Sequence, residues 1–361
     1  MLNLIRKPIE GELVQYKQLF DETLTHKDPF MSQALSYIKG RSGKMMRPIL
    51  TLLMAKEMGG VTAASLHAAI SLELLHTASL VHDDVVDEAG ERRGQASVNC
   101  KYDNKVAVLL GDYLLSLSLA QAAQTAALEA VEIIARLGGT LSEGEIFQLE
   151  NISREELTET AYFHIVERKT AALFSACAQL GAISAGATAQ QVEKARRVGE
   201  IIGVCFQIRD DIFDYFKADI GKPTGNDLRE GKFTLPAIYA ITNNPSPRIA
   251  DLVKRVKQQQ ATAEEIEEII EFTKQHGGIE YAEQKMMELC HEALQLLSDF
   301  NHAEVREALK QYIAFGVDRE LLFLSAPTNR MALSPCRGRG PLCGEGVQNT
   351  HCIVKLLTTH S

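Results

Sequence analysis

Proline is missing from almost half of the sequence. Of the ten prolines in 361 residues, none lies between Pro48 and Pro223, and this stretch is rich in Ala, Leu, Glu, Gln and Ile. Helix interiors exclude proline, so its absence over such a length favours stacked helices. Apolar residues recur at helical spacing from Leu72 onwards and again over residues 106–137, whereas the strict alternation of a half-buried strand is not found. The sequence therefore predicts an all-α fold.

Long polar linkers are missing as well. The breaks between the predicted helices are short turns, so we expect one large helical domain over residues 1–323. Residues 324–361 differ in composition, with three of the seven cysteines, three prolines, four Lys or Arg residues, one acidic residue and no helical periodicity. We therefore expect a disordered tail that turnover does not need. A metal site is not expected there, because Cys336, Cys343 and Cys352 lack the close spacing of a structural zinc site.

Uninterrupted apolar runs of the roughly 18 residues that a transmembrane helix requires are missing, and the first residues lack the apolar stretch of a signal peptide. These observations predict a cytoplasmic protein without a transmembrane segment. The odd number of cysteines, seven, fits reduced thiols better than a disulfide framework. The formal net charge of -9 argues against a protein that coats nucleic acid, because that function needs a broad basic surface.

Two acidic motifs stand out against this apolar background. They are LVHDDVVDEAGERRG, with Asp83, Asp84 and Asp87, and FQIRDDIFDY, with Asp210, Asp211 and Asp214. Residues four apart share a helix face, so each motif places two carboxylates together among apolar neighbours. Such an arrangement requires a cation, and carboxylate oxygens suit Mg²⁺ that shares its other positions with phosphates. One such motif is typical of a solvated helix face, but two copies favour a magnesium site.

Basic residues, several of them next to glycines, accompany the acidic motifs. They are Lys44, Arg47, Arg92, Arg93, Lys169, Lys222 and Lys232. Taken singly, each is more typical of a surface cation than of a ligand contact. Together with two acidic motifs they indicate a site for diphosphates rather than for sugars or peptides.

The order of these motifs resembles the trans-isoprenyl diphosphate synthases, or polyprenyl synthetases. The resemblance covers about residues 39–236 and rests on GKMMRP, DDVVD with RRG, GEIFQ, KT, FQIRDDIFD and GKFTLP. It implies a single helical bundle around a deep central cavity, usually a homodimer, with the two aspartate motifs facing each other. It also implies a Mg²⁺-dependent prenyltransferase that condenses isopentenyl diphosphate head to tail onto an allylic diphosphate.

The resemblance assigns a role to each motif residue. The magnesium ligands are expected to be Asp83, Asp87 and Asp210, with Asp214 beside Asp210 and with Asp84 and Asp211 in support. The allylic diphosphate is expected to contact Arg92, Lys169, Thr170, Gln207, Lys222 and Lys232. Isopentenyl diphosphate is expected to contact Lys44, Arg47, His76 and Arg93, although His76 alone would be read as a core histidine. The residues expected to act in catalysis are Asp83, Asp84, Asp87, Arg92, Lys169, Asp210, Asp211 and Lys232.

Two departures from the family pattern are small. Met45 stands where a cation is usual, and Arg209 stands where a neutral residue is commoner. Arg209 is expected to pair with a neighbouring carboxylate and lower its pKa.

Product length is expected to depend on the residues just before the first aspartate motif, where bulky aromatics stop the growing chain in this family. Ala78 and Ser79 are both small. Because one helical turn rises 5.4 Å, Ser79 lies one turn beneath Asp83, and the open path implies a product of about thirty carbons or more. The resemblance is thus to the long-chain type, such as octaprenyl or heptaprenyl diphosphate synthases that supply quinone side chains.

Two other functions are compatible with parts of the sequence. A metal-dependent phosphohydrolase could use His82 and Asp83, but it leaves the second aspartate motif and GKFTLP unexplained. A catalytically silent regulatory subunit would typically have lost aspartates or RRG, and both are intact here. Hydrolysis would release phosphate from one substrate alone, whereas prenyl transfer makes a longer diphosphate only when both substrates are present.

Overall fold

The computed structural model describes residues 1–40, 43–92, 94–154, 156–216 and 224–317. The helices of this part of the chain are α1 Leu2–Arg6, α2 Glu10–Thr23, α3 Pro29–Lys39, α4 Met46–Met58, α5 Ala63–Val86, α6 Val98–Tyr102, α7 Asn104–Gln124, α8 Leu128–Ser153, α9 Glu159–Val166, α10 Ala172–Ser184, α11 Ala189–Phe213, α12 Asn226–Arg229, α13 Leu235–Asn243, α14 Pro247–Lys257, α15 Ala263–Gln275, α16 Gly278–Leu297 and α17 Ala303–Gly316. A 3₁₀ turn, Lys7–Ile9, precedes α2, and a π-helical segment, Glu167–Ala171, joins α9 to α10. The all-α prediction is confirmed, apart from a hairpin of β1 Glu91–Arg92 and β2 Gln95–Ala96.

Both aspartate motifs lie at the C-terminal ends of long helices whose starts are fixed by capping boxes. Thr62 and Ser65 begin α5, and Thr188 and Gln191 begin α11. The carbonyl groups at a helix C-terminus carry partial negative charge, so carboxylates there are repelled by their own helix. The fold therefore concentrates negative charge at two helix ends that need cations.

The core forms around α4 and α10, which pack closely on each other and on α5 and α11. Glycines permit the closest approaches: a Cβ at Gly181 would lie 2.3 Å from the carbonyl oxygen of Thr51, and one at Gly203 would lie 2.5 Å from the Cα of Ala171. The approach at Gly203 brings α11 against the π-helical segment. Two elements that carry predicted site residues are thereby fixed side by side.

Two helices of the described residues, α5 and α7, are long and apolar enough to cross a membrane by length and composition alone, a test that core helices of soluble proteins also pass. The absence of a transmembrane segment therefore stays a prediction. In α5, 61% of the apolar window is buried inside the protein. In α7 only 33% is buried, so α7 has an exposed apolar face. The described helices belong to one compact unit, whereas the predicted tail of residues 324–361 lies outside the described residues.

Candidate active site

A cavity of about 750 Å³ runs between α5, α7, α8, α10, α11 and the π-helical segment. Its polar end is lined by Asp83, Arg92, Glu145, Lys169 and Asp210. The remaining wall is largely apolar and includes Leu75, Leu115, Leu119, Ile134 and Leu173. One cavity thus has charged groups at one end and an apolar wall beyond them.

The two predicted aspartate motifs each contribute a carboxylate to this cavity, Asp83 from α5 and Asp210 from α11. Burial, and then the charges of Glu145 and Asp87, raise the pKa of Asp83 to about 6. Burial also raises the pKa of Asp210, although Arg209 donates a hydrogen bond of 2.9 Å to Asp210 Oδ1. The predicted pairing of Arg209 is therefore present, but burial has the larger effect on the pKa.

The middle aspartate of the first motif, Asp84, does not line the cavity. It is 1% exposed, and its Oδ1 accepts a hydrogen bond of 2.5 Å from Arg92 Nε. Arg92 itself lines the cavity from the β-hairpin. Asp84 is thus placed to orient Arg92, and its supporting role stays a prediction.

Asp214 does not line the cavity with Asp210, contrary to the expectation from their spacing. Its Oδ1 accepts a hydrogen bond of 3.0 Å from the backbone N–H of Asn226, and its Oδ2 accepts one of 3.1 Å from that of Asp227. The helix ends at Phe213, so Asp214 turns to anchor the chain that enters α12. The prediction of Asp214 as a metal ligand is therefore not supported by its geometry.

Lys169 and Thr170 reach the cavity from the π-helical segment, where an extra residue is inserted in the helical turn. Such inserted turns recur at functional sites. Lys169 Nζ lies 2.7 Å from Glu145 Oε1 and donates a hydrogen bond of 3.3 Å to Gln148 Oε1. A Cβ at Gly144 would lie 3.1 Å from the backbone nitrogen of Lys169. The glycine of the GEIFQ motif thus lets α8 approach this segment, and Glu145 and Gln148 of the motif are partners of Lys169. The sequence alone had given Glu145 and Gln148 no role.

A smaller cavity of about 140 Å³ adjoins the first and shares Lys169, Thr170 and Gln207 with it. Lys232 lines this side cavity and donates a hydrogen bond of 2.5 Å to Glu230. Asp227 also lines the side cavity. Burial, and then the charge of Asp214, raise the pKa of Asp227 to about 6. Sequence reasoning missed Asp227, because it lies outside the recognised motifs.

The residues predicted for isopentenyl diphosphate are only partly brought together. Arg47 and His76 line the main cavity, and the Arg47 guanidinium stacks 5.0 Å from the ring centroid of Phe174. Lys44 is not in the cavity wall, and its Nζ lies 4.9 Å from the ring centroid of Phe315. Arg93 and Lys222 lie outside the described residues.

Of the two predicted chain-length residues, Ser79 lines the cavity and Ala78 does not. Ala78 is fully buried on another face of α5. His82 also borders the cavity, but its Nε2 lies 3.1 Å from the carbonyl oxygen of Val108 on α7. This contact supports a structural role for His82 rather than the role that a phosphohydrolase would require.

The donor set of the cavity suits a divalent cation that is shared with a ligand. Across the described residues, no three His, Cys, Asp or Glu side chains converge closely enough to hold a metal ion by themselves. Asp83 and Asp210 instead line a common space, and carboxylate oxygens are the ligands that hard divalent ions prefer. A cation held there would complete its coordination with oxygens of a bound phosphate and with water.

Comparison with known proteins agrees with this geometry. The sequence model of the polyprenyl synthetase family matches residues 28–273. Octaprenyl diphosphate synthase of Haemophilus influenzae is 33% identical over 317 residues, which cover 87% of this chain and 96% of that protein.

Solved structures of similar proteins share the fold. Geranylgeranyl pyrophosphate synthase of Bacteroides thetaiotaomicron is 46% identical, with a TM-score of 0.77, and the match covers 87% of this chain and 98% of that one. Polyprenyl synthase of Caulobacter crescentus CB15, solved with calcium and isoprenyl diphosphate, is 29% identical, with a TM-score of 0.81 and coverage of 88% and 97%. The match to the family thus extends over most of the described residues.

Proposed function

This chain belongs to the polyprenyl synthetase family, and we propose that it is a Mg²⁺-dependent prenyltransferase that condenses isopentenyl diphosphate head to tail onto an allylic diphosphate. The observation that carries the proposal is the single cavity in which Asp83, Asp210, Arg92 and Lys169 surround one end and apolar side chains form the rest. Charged groups are placed for a diphosphate, and the apolar wall is placed for a hydrocarbon tail.

The reaction begins with departure of the allylic diphosphate, which leaves an allylic cation. Asp83 and Asp210, with Asp87 close by, would hold Mg²⁺, which would supply positive charge to the leaving oxygens. Arg92 and Lys169, which line the same cavity, bind this diphosphate, whereas Lys232 lies in the side cavity. Lys169 must leave Glu145, its partner at 2.7 Å, to do so, so Glu145 keeps this cation in place between turnovers.

Carbon–carbon bond formation follows inside the apolar part of the cavity. Arg47 and His76 line the wall where isopentenyl diphosphate would present its double bond to the allylic cation. Apolar neighbours such as Leu75 and Leu173 exclude the water that would otherwise capture the cation. No side-chain base is required, because the departing diphosphate can take the proton.

We propose a long product, of about thirty carbons or more. Ser79 lines the cavity one helical turn below Asp83, and its small side chain leaves room there for the growing chain. The names of the relatives differ on this point, since one is an octaprenyl and another a geranylgeranyl synthase.

Along α8 the cavity wall runs from Glu145 to Ile134, about 16 Å at the helical rise. Four bonds of about 1.5 Å give an isoprene unit a length of about 5 Å, so the enclosed part holds about three units.

A longer chain must therefore continue past Leu119, which lines the cavity and is 45% exposed. Leu119 belongs to an exposed apolar surface of α7 and α8, here called the α7–α8 face. Its large apolar residues are Val108, Leu109, Leu119, Leu128, Ile146 and Leu149. We propose that a second copy of the chain covers this face, through a two-fold interface in which the same surface meets itself.

Charge argues for a second copy rather than a membrane on the α7–α8 face. Binding to an anionic lipid surface needs clustered basic residues. The two helices instead contain Asp112, Glu129, Glu132 and Glu143 as well as Lys105 and Arg136, and an apolar centre with a mixed polar rim is typical of a protein interface. With this face covered by a second copy and α5 in the core, the proposed setting is the cytoplasm, and the proposed catalytic domain is residues 1–323.

Replacing Leu109 with Glu is expected to separate the copies, because Leu109 is 66% exposed on the α7–α8 face and a charge there would be buried without a partner. Analytical ultracentrifugation should show a dimer for the wild type and a weakening of association by about 100-fold or more for the variant. Val14→Glu is the matched control, since Val14 is 64% exposed on α2. Equal association of Leu109→Glu and wild type would show that the face is not the interface.

The proposed activity is tested by incubating the protein with Mg²⁺, isopentenyl diphosphate and allylic diphosphates of increasing length, and by sizing the products. We expect a longer diphosphate only when both substrates are present, and none after the divalent ions are removed with a chelator. Phosphate release from a single substrate would indicate hydrolysis, and condensation that survives the chelator would exclude the proposed use of the carboxylates.

A further inference from the structure

Tyr162 lies outside every motif of the sequence, yet it is joined to the cavity by an unbroken chain of hydrogen bonds. Its hydroxyl donates to Asp211 Oδ2 at 2.6 Å. Asp211 Oδ1 accepts from Gln207 Nε2 at 2.8 Å. Gln207 Oε1 in turn accepts from the hydroxyl of Thr170 at 2.7 Å.

The two ends of this chain differ in what they can contact. Thr170 and Gln207 line the main cavity, whereas Tyr162 and Asp211 line only the side cavity behind it. Tyr162 is 5% and Asp211 is 3% exposed. Tyr162 and Asp211 therefore make no direct contact with a ligand of the main cavity, and their hydrogen bonds reach it through Gln207.

The orientation of the Gln207 amide follows from its neighbours. Asp211 uses both carboxylate oxygens as acceptors, one for Tyr162 and one for Gln207. The amide therefore turns its NH₂ group toward Asp211 and its oxygen toward Thr170. The hydroxyl proton of Thr170 is therefore donated to Gln207. The lone pairs of the Thr170 oxygen and the second amide N–H of Gln207 then have defined directions beside Lys169.

We propose that Tyr162 and Asp211 are positioning residues that fix Gln207 and Thr170 for the allylic diphosphate. This inference rests on the proposed function, because it takes Thr170 and Gln207 as contacts of that diphosphate. It reassigns Asp211 from direct catalysis to orientation of a neighbour, since the buried Asp211 carboxylate does not line the main cavity and accepts a donor on each oxygen. It also gives Tyr162, a residue on α9, a specific effect on one of the two substrates.

Replacing Tyr162 with Phe removes the hydroxyl and keeps the ring. Asp211 Oδ2 then loses its donor, so the carboxylate is free to rotate and holds the Gln207 amide less firmly. We expect KM for the allylic diphosphate to rise about tenfold, with KM for isopentenyl diphosphate unchanged within a factor of two. Direct titration of the allylic diphosphate by calorimetry should show the same tenfold weakening, which a general loss of stability would not produce.

Tyr281→Phe is the matched control. The hydroxyl of Tyr281 donates to Glu159 Oε2 at 2.9 Å, so the same atom is removed from another tyrosine–carboxylate pair that also involves α9. This variant is expected to keep both KM values. If Tyr162→Phe does not fold, Asp211→Asn serves instead, because its amide would turn an NH₂ group toward Gln207 and reverse that side chain, with the same selective loss.

Coupling to Thr170 gives the decisive comparison. If Tyr162 acts through Gln207 and Thr170, adding Tyr162→Phe to Thr170→Val should change the allylic KM by less than twofold. A further tenfold rise in the double variant, or equal rises in both KM values for Tyr162→Phe, would overturn the inference. Failure of the wild type to condense the two substrates would instead overturn the proposed function, so the two failures are distinguishable.

Discussion

Replacing Asp83 with Asn is expected to lower kcat for condensation by about 10²- to 10³-fold, the typical effect of removing one group that stabilises charge in the transition state. Asp83 lines the cavity at the end of α5, and its pKa is raised to about 6 by burial and by Glu145 and Asp87. A carboxylate in this environment is stabilised by a bound cation, and an amide carries no charge to hold one. Steady-state kinetics with both substrates saturating measures the effect.

Two variants serve as comparisons for Asp83→Asn. Asp251→Asn, on α14, changes an exposed carboxylate and should leave kcat unchanged. Asp84→Asn weakens the pair between the buried Asp84 carboxylate and Arg92 and should lower thermal stability as well as activity, because the Arg92 guanidinium would lose the negative charge of Asp84. Retention of activity within threefold in Asp83→Asn would show that this carboxylate does not take part in the reaction.

Replacing Ser79 with Phe is expected to shorten the product from about thirty carbons or more to about fifteen, because Ser79 lines the cavity one turn beneath Asp83. The aromatic ring would occupy the space that the second or third isoprene unit enters. Chromatography of the dephosphorylated products measures the change. Ser36→Phe, an exposed position on α3, makes the same substitution away from the cavity and should leave product length unchanged.

Ala78→Phe is expected to behave differently, although the sequence pairs Ala78 with Ser79 as a chain-length residue. Ala78 is fully buried outside the cavity wall, so a phenylalanine there overpacks the core and should cost about 1–3 kcal/mol of stability. A lower melting temperature with unchanged product length is the expected result. Unchanged products in Ser79→Phe would contradict the proposed path of the growing chain.

Much of the fold and the polar end of the site could be predicted from the sequence. The missing prolines and the helical spacing of apolar residues record local requirements of helices, which hold whatever the tertiary structure is. The two aspartate motifs likewise show in the sequence which two segments carry the carboxylates of the site. Asp83 and Asp210 do line one cavity, as the resemblance implied.

The remaining features depend on where helices end and on what packs against them. Asp214 follows Asp210 by four positions, but the helix stops at Phe213 and the side chain caps the next turn instead. Tyr162 is 49 positions from Asp211 in sequence and meets it only because α9 and α11 pack together. The π-helical insertion that presents Lys169 and Thr170 likewise has no signal in the spacing of apolar residues.

The most direct test of the account is a double-mutant cycle between Asp83 and Asp210. If both carboxylates act on one diphosphate through shared divalent ions, loss of either should remove most of the effect of the other. We expect each Asp→Asn variant to lose about 10²- to 10³-fold in kcat. The kcat of the double variant should be no more than about tenfold below that of the less active single variant. Losses that multiply, to about 10⁵-fold or more, would show that the two residues act independently and would contradict the account.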